Sequence, residues 1–327
     1  MNYTIFGESH GPAIGVVLTG VPSGLALDLD AVAAEMARRA PGQDATSTAR
    51  KEADQVEILS GLFEGKTTGT PLCGIIRNTD THSRDYSKLK DLPRPGHGDY
   101  AGSVRYAGCN DYRGGGHFSG RLTAPLVFAG AVAKQILSQR GIAVTSRISV
   151  LGGLKDPTPE QCDTIILAAK GESDSVGGSI ACAVTGVPVG FGAPDFGENV
   201  EGIFAKHLFA VPAVKGLAFG EGFNFANLRG SQANDAFYMD GDTVRTRTNH
   251  AGGINGGITN GMPITFEVAI RPTPSIARAQ QTVSLSRGTD EVLEIQGRHD
   301  PCIVKRALPV IEAAAALATC EVLHIER

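Results

Sequence analysis

The segment IGVVLTGVPSG at residues 14–24 occurs a second time, as IACAVTGVPVG, at residues 180–190. Gly-Glu-Ser precedes each copy, at residues 7–9 and 171–173. Both copies are typical of a loop, then a strand, then a turn rich in proline and glycine. A chance match of common turn residues is the alternative, but here loop and strand recur together. The repeat predicts an ancient duplication, in which pseudo-twofold halves at roughly 1–165 and 166–327 together form a single domain, 1–327.

The remaining patterns predict an α+β protein. Asp28 or Asp30 can cap a helix that passes Arg39 and stops at Pro41-Gly42. Further helices are predicted at 122–139, 159–171, 200–208 and 300–323, and strands at 14–19, 56–63, 72–77, 143–150, 179–185, 214–219 and 264–270. Strands and helices do not alternate strictly, so we expect helices packed between or against antiparallel sheets.

Composition indicates a soluble globular protein that acts on a small anionic ligand. The 327 residues are 42% hydrophobic and 20% charged, and the net charge of −4 argues against a broad nucleic-acid surface. No secretory signal is visible, and no apolar run approaches the ~18 residues of a membrane span. Six scattered cysteines without a Cys-x-x-Cys pair argue against zinc or a disulfide framework and favour reduced thiols in the cytoplasm.

Five glycine-rich segments carry most of the acid–base residues. They read GESHG at 7–11, RPGHGD at 94–99, RGGGHFSGR at 113–121, NHAGGINGG at 249–257 and GRHDPC at 297–302. Glycine lets a backbone approach a ligand closely and leaves N–H groups free to bind anions. The segments therefore predict one large anionic site built from distant parts of the chain.

Two histidines are the first candidates for acid–base roles. His10 lies in a glycine-flanked loop just before a strand, and we favour a site role over that of a surface polar group. His97 precedes Asp99, which can accept a proton from the ring and orient it; a rigid turn with a local His–Asp pair is the alternative.

The cationic and acidic segments have structural alternatives as well. The run 113–121 ends at a predicted helix start, a good anion site, but it is neither a Walker loop nor a dinucleotide fingerprint. Arg271 begins a stretch that suits a phosphate or is an ordinary proline turn. Arg38, Arg39 and Arg50 form a possible arginine patch, although the first two can simply be a solvated helix end. Asp300 before a proline reads as a helix cap that can act as a base if the helix start faces the ligand.

In these segments the chain resembles the chorismate synthase family. The resemblance covers nearly the whole chain, with signatures in order at 7–11, 94–99, 111–121, 230–232, 249–257, 271–275 and 297–302. It implies a homotetramer of β–α–α–β layered sandwiches. It also implies an anti-1,4-elimination of phosphate from 5-enolpyruvylshikimate 3-phosphate to give chorismate. That reaction needs reduced FMN without net redox change, while the protein stacks flavin and substrate and excludes water.

The same resemblance implies residue roles. It places His10 beside the flavin as a proton donor, His97 near the departing phosphate or flavin as general acid, and Asp300 near the flavin N5 region, where it helps remove the ring proton. The implied flavin contacts are His117, Phe118, Ser119, Pro212, Ala213, Gly256, Arg271, Pro272, Thr273, Pro274, Ser275 and Arg298. The implied substrate contacts are Ser9, Arg39, Arg50 and Arg121. Bidentate arginines suit a substrate with two carboxylates and a phosphate.

Some positions depart from the family pattern. Many relatives have Arg-Ser-Ser-Ala-Arg where this chain has residues 117–121, and Lys-Pro-Thr-Ser-Ser where it has 271–275. An arginine expected near Ala45 is absent, and Arg50 or Lys51 can replace it. No segment suggests a built-in flavin reductase, so we expect an external reductant; whether NADPH reduces the bound flavin stays open. The alternative functions are a non-catalytic module that binds FMN or phosphate, and a kinase, which the missing Walker motif disfavours.

Overall fold

The computed structural model describes residues 1–42, 46, 54–79, 88–295 and 300–325. Arg50 and Arg298 lie outside the described residues. The strands are β1 (Asn2–Gly7), β2 (Ala13–Thr19), β3 (Val56–Ser60), β4 (Leu62–Phe63), β5 (Lys66–Thr67), β6 (Leu72–Arg77), β7 (Ala143–Leu151), β8 (Leu154–Lys155), β9 (Gly178–Thr185), β10 (Val214–Phe219), β11 (Phe237–Asp240), β12 (Thr243–Thr246), β13 (Ile254–Asn255), β14 (Ile258–Thr259), β15 (Ile264–Ile270), β16 (Gln280–Ser284) and β17 (Thr289–Leu293). The helices are α1 (Leu29–Arg39), α2 (Asp99–Arg105), α3 (Thr123–Ser138), α4 (Pro159–Gly171), α5 (Val200–Phe209), α6 (Gly230–Ala233) and α7 (Val304–Val322).

Two antiparallel sheets share one strand order. The first runs β1-β2-β6-β3, and the second runs β7-β9-β15-β10 with β8 added beside β7. When the four strands of each sheet are numbered by their order along the chain, both sheets have the arrangement 1-2-4-3. The repeated segments form β2 and β9, the second strand of each sheet. The duplication remains a prediction; this topology supports it and starts the second unit at β7, before residue 166.

Helices α3 and α7 form the two inner layers. Helix α3 packs on β2 and β6, helix α7 packs on β7 and β9, and the two helices pack on each other. Their crossing is close: a Cβ on Gly130 would overlap the backbone of Ala313, so only glycine fits there. The predicted α+β sandwich with sheet, helix, helix and sheet layers is therefore present. No helix in the described part of the chain has the length and apolar character needed to cross a bilayer.

One buried carboxylate ties these helices together. Glu312 of α7 is 3% exposed and accepts hydrogen bonds from Arg38 of α1 at 2.6 and 2.8 Å, Lys134 of α3 at 2.6 Å and Ser146 of β7 at 2.7 Å. Burial opposes ionisation, but the hydrogen bond from Arg38 and the positive charge of Lys134 outweigh it and lower the pKa of Glu312 to about 2. Arg38 is thus a structural residue, which corrects its assignment to an arginine patch or a merely solvated helix end.

Helices α1, α4 and α5 start at residues whose side chains cap them, whereas α2, α3 and α7 start without a side-chain cap. The Asp28 side chain caps α1 by accepting a bond from the Ala31 amide at 2.9 Å, as predicted. The prediction that Asp300 caps α7 is wrong, because that helix starts at Val304 with no side-chain cap. Tertiary contacts override the local pattern: the carbonyl of Pro301 accepts a bond from the Val176 amide at 2.8 Å.

Candidate active site

Three consecutive glycines bring the two predicted acid–base histidines together. Gly114, Gly115 and Gly116 have φ values of +58°, +82° and +53°, a left-handed conformation that other residues rarely adopt. The His10 ring fills the space that a Cβ on Gly114 would need, and His97 Cε1 would lie 3.1 Å from a Cβ on Gly115. The two rings therefore pack against adjacent residues of one loop, although they are distant in sequence.

The segment 7–11 is fixed to this loop by hydrogen bonds. The Ser9 amide donates to the Gly116 carbonyl at 3.2 Å, and His117 Nδ1 donates to the Gly7 carbonyl at 3.0 Å. Asn78 Nδ2 donates to the carbonyls of Glu8 and Gly11 at 3.0 and 2.9 Å. These contacts hold His10 in place and give His117 a structural role on one ring nitrogen.

Two polar groups of the first loop stand out. The Ser9 side chain is fully buried, and in the described part of the chain its hydroxyl has no hydrogen-bond partner. The pKa of Glu8 is raised above its ordinary value. Burial is the main cause and the nearby charge of Asp111 adds to it, while that of His117 acts in the opposite direction. Sequence reasoning missed Glu8, although it belongs to the GESHG segment. A buried hydroxyl without a partner is the kind of group that a ligand satisfies.

His97 belongs to a compact charged cluster. Its Nδ1 lies 2.6 Å from Asp99 Oδ1, so the predicted contact is present. Arg94 binds the same carboxylate through Nε at 2.7 Å and Nη2 at 2.8 Å. Burial favours the neutral acid, but the hydrogen bonds from Arg94 and His97 outweigh it and hold the pKa of Asp99 well below its ordinary value. Asp99 is therefore a carboxylate anion when it binds the ring.

The stretch 271–275 lies beside this cluster. Arg94 Nη1 donates to Ser275 Oγ at 3.1 Å, and the Arg271 guanidinium donates to the Gly96 carbonyl. The Arg271 amide donates to the carbonyl of Ala213 at 3.0 Å. Ala213 directly precedes β10 and Arg271 directly follows β15, so this bond joins two of the predicted flavin-binding segments. Thr273 Oγ1 is buried without a hydrogen-bond partner among the described residues.

Two predicted flavin contacts make other interactions. The Phe118 ring packs against Gly98, which precedes α2, and against Gly102 of α2, and its centroid lies 6.3 Å from that of the Tyr106 ring. Gly256 lies in the turn between β13 and β14, and the carbonyl of the following Gly257 binds the first amide of α5 at 3.0 Å. That hairpin is held by α5 rather than by the loops around the histidines.

The two predicted substrate contacts Arg39 and Arg121 both bind one carboxylate. Arg39 and Arg121 are 1% and 5% exposed, and both bind Asp54, which is 2% exposed. Arg39 Nε lies 2.8 Å from Asp54 Oδ2, and Arg121 Nε donates to Asn78 Oδ1 at 3.1 Å. Asn78 thus joins the arginines to the loop that carries His10. Sequence reasoning missed Asp54 and Asn78, because nothing in their local sequence marks them.

Asp300 reaches this arginine cluster through one intermediary. Arg306 contacts the Asp300 carboxylate and donates from Nε to the Arg39 carbonyl at 3.0 Å. His10, His97, the arginine pair and Asp300 therefore belong to one connected set of contacts. Among the residues that the structure describes, no three His, Cys, Asp or Glu side chains are placed to hold a metal ion.

Comparisons with known proteins show the family of this chain. A family model described as chorismate synthase matches residues 1–323. The chain belongs to the chorismate synthase family. It is 45% identical to the chorismate synthase of Dehalococcoides mccartyi over 98% of this chain and 93% of that protein. It is also 45% identical to the enzyme of Methanothermobacter thermautotrophicus, over 97% and 91%. A crystal structure of chorismate synthase matches with a TM-score of 0.75 and 27% identity, covering 98% of this chain and 91% of that chain.

The site of this chorismate synthase family member suits proton transfer next to a bound anion. Two imidazoles pack against a backbone loop of three glycines, and two buried arginines lie on the other side of Asn78. Imidazoles can donate and accept protons near neutral pH, and arginine forks bind carboxylates and phosphates. The unpartnered hydroxyls of Ser9 and Thr273 fit a ligand with several polar atoms, such as a flavin.

Proposed function

We propose that this chain is a chorismate synthase. It would eliminate phosphate and a ring hydrogen from 5-enolpyruvylshikimate 3-phosphate in the shikimate pathway of aromatic amino acid biosynthesis. The observation that carries the proposal is the packing of His10 and His97 on two consecutive glycines, with the arginine pair attached through Asn78 to the loop that carries His10. This arrangement supports the proposal, because the elimination needs proton donors beside anion-binding groups.

Reduced FMN is the proposed cofactor, and when bound it supplies the electron density that lets the phosphate leave without net redox change. The glycine loop 114–116 would hold its planar ring, together with the hydroxyls of Ser9 and Thr273 and the cation of Arg271. The burial of both hydroxyls without a hydrogen-bond partner in the described structure supports this choice. The further proposed contacts are His117, Phe118, Ser119, Pro212, Ala213, Gly256, Pro272, Pro274, Ser275 and Arg298.

The substrate anions are assigned to Arg39 and Arg121, with Ser9 and Arg50 as further proposed contacts. Asp54 neutralises one of the two buried guanidinium charges and fixes both forks. His97 would protonate the departing phosphate and His10 would donate a proton beside the flavin. Asp300 would take the ring proton; Arg306, which contacts its carboxylate and donates to the Arg39 carbonyl, links it to the arginine pair.

The assembly and location are proposed on separate grounds. We propose a homotetramer in the cytoplasm, supplied with reducing equivalents by an external reductase that uses NADPH. The hairpin β11–β12 supports a subunit contact, because Phe237, Met239 and Val244 are 70%, 62% and 56% exposed. Six cysteines without a disulfide fit a reducing compartment.

The test is an anaerobic assay with dithionite-reduced FMN and 5-enolpyruvylshikimate 3-phosphate, in which chorismate and phosphate are both measured. We expect the two products in equal amounts from the wild-type protein. His10→Ala and His97→Ala should each lower turnover by about 10²–10⁴-fold, while the exposed His324→Ala serves as the matched control. A non-catalytic flavin-binding module would bind FMN and release neither product, which would refute the proposal.

A further inference from the structure

The His97 ring lies between two opposite charges. Asp99 Oδ1 is 2.6 Å from Nδ1, and Arg94 Nη2 is 3.1 Å from Nδ1 and 3.3 Å from Nε2. In the described part of the chain, these are the charged side chains in hydrogen-bond contact with the ring. The carboxylate stabilises an imidazolium, whereas the guanidinium opposes it. The Asp99 carboxylate and the Arg94 guanidinium therefore act in opposite directions on the proton that His97 would donate.

Asp99 is itself held rigidly. Its Oδ2 accepts bonds from the Arg94 amide at 3.0 Å and from Arg94 Nε at 2.7 Å, and its Oδ1 accepts from Arg94 Nη2 at 2.8 Å. Both side chains are buried, at 8% and 6% exposure. Arg94 is anchored at its far end by Ser275 Oγ at 3.1 Å. A carboxylate with so many donors cannot rotate away from the ring without breaking several buried hydrogen bonds.

The geometry points to Asp99 and Arg94 as a positioning pair for His97. We propose that Asp99, clamped by Arg94, keeps a proton on His97 Nδ1 and so makes Nε2 the atom that donates to the departing group. Nε2 would lie 3.2 Å from a Cβ on Gly115, so this nitrogen is on the side of the glycine loop. The catalytic consequence rests on the proposed role of His97 as general acid. The Nδ1–H form follows from the contacts alone.

The pair also links the acid to the segment 271–275. Ser275 binds Arg94, and Arg271 binds the Gly96 carbonyl on the same turn. A shift of this segment would therefore move Arg94 and, through Asp99, the His97 ring. His97 is fixed relative to that segment rather than by its own turn alone.

The first experiment measures the tautomer directly and needs no turnover. Full-length protein with 15N-labelled histidine and bound FMN is studied by NMR, with His97→Gln identifying the His97 signals. We expect the neutral ring to carry its proton on Nδ1, in a strongly hydrogen-bonded signal. A wild-type ring protonated on Nε2 would overturn the proposal whether or not the protein makes chorismate. Failure to make chorismate with the Nδ1–H form intact would refute only the proposed function.

The second experiment compares Asp99→Asn with wild type across pH. Turnover should fall by about 10-fold or more, less than the ~10²–10⁴-fold expected on removing the acid itself. The deficit should grow with rising pH, because Arg94 alone then faces the ring and disfavours the imidazolium. The exposed Asp156→Asn, which also loses an arginine partner, should show neither effect. A merely structural Asp99 would give a loss that does not change with pH, which would contradict the proposal. If Asp99→Asn does not fold, the wild-type tautomer decides the question.

Discussion

Replacing Gly114 with alanine adds one methyl group where the His10 ring crosses the glycine loop. Gly114 has φ of +58°, and an L-residue in this left-handed region costs about 1–2 kcal/mol. The new Cβ would also overlap the His10 ring, so the ring must move. The variant therefore combines a modest loss of stability with displacement of a proposed proton donor.

Gly65→Ala is the matched control. Gly65 has φ of +75°, and no atom lies within 4 Å of the Cβ that the substitution would add. It carries the same backbone strain without the contact with histidine. Gly65→Ala should lose about 1–2 kcal/mol in urea unfolding and Gly114→Ala at least as much, but only Gly114→Ala should lose about 10²–10⁴-fold in chorismate formation. Equal turnover in the two variants would show that the position of His10 against the loop has no bearing on catalysis.

Three further substitutions test other parts of the account. Glu312→Gln should lower the unfolding free energy by about 3 kcal/mol. The pKa of Glu312 in the folded protein is about 2, against an ordinary 4.5. The greater stability of the wild type in urea melts should therefore be present above pH 4.5 and disappear as the pH falls toward 2. Arg121→Lys keeps the charge but loses the fork on Asp54 and Asn78, so KM should rise by about 10-fold or more with a smaller change in kcat, measured by steady-state kinetics. Asp300→Asn can still bind Arg306 but cannot act as a base, so kcat should fall by about 10²-fold or more in a variant that still folds.

Elements with local boundary signals could be predicted from the sequence. Helix α1 follows its Asp28 cap, and α4 runs from Pro159 to Gly171 as expected, with Thr158 as its cap. The start of α7 was wrong because the Pro301 carbonyl is engaged by a distant amide, which the local pattern does not reveal. Strand β1 was not predicted, since its pairing with β2 and the partial burial of one face become evident only in the folded sheet.

The site was predicted in its parts but not in its connections. The glycine segments around His10 and His97 were identified because glycine next to acid–base residues is typical of ligand loops. Their meeting at Gly114 and Gly115 depends on three successive left-handed residues, a conformation that the sequence permits but does not specify. Asp54 and Asn78 gave no local signal, because their partners are distant in sequence and their function is visible only once the chain has folded.

An experimental structure with oxidised FMN and 5-enolpyruvylshikimate 3-phosphate bound would examine the whole arrangement at once. The expected result is a single pocket in which His10, His97 and Asp300 approach the flavin and the substrate ring, with the substrate anions on Arg39 and Arg121. Separation of these three side chains into different cavities, or a flavin bound away from the loop at 114–116, would show that the proposed active site is incorrect.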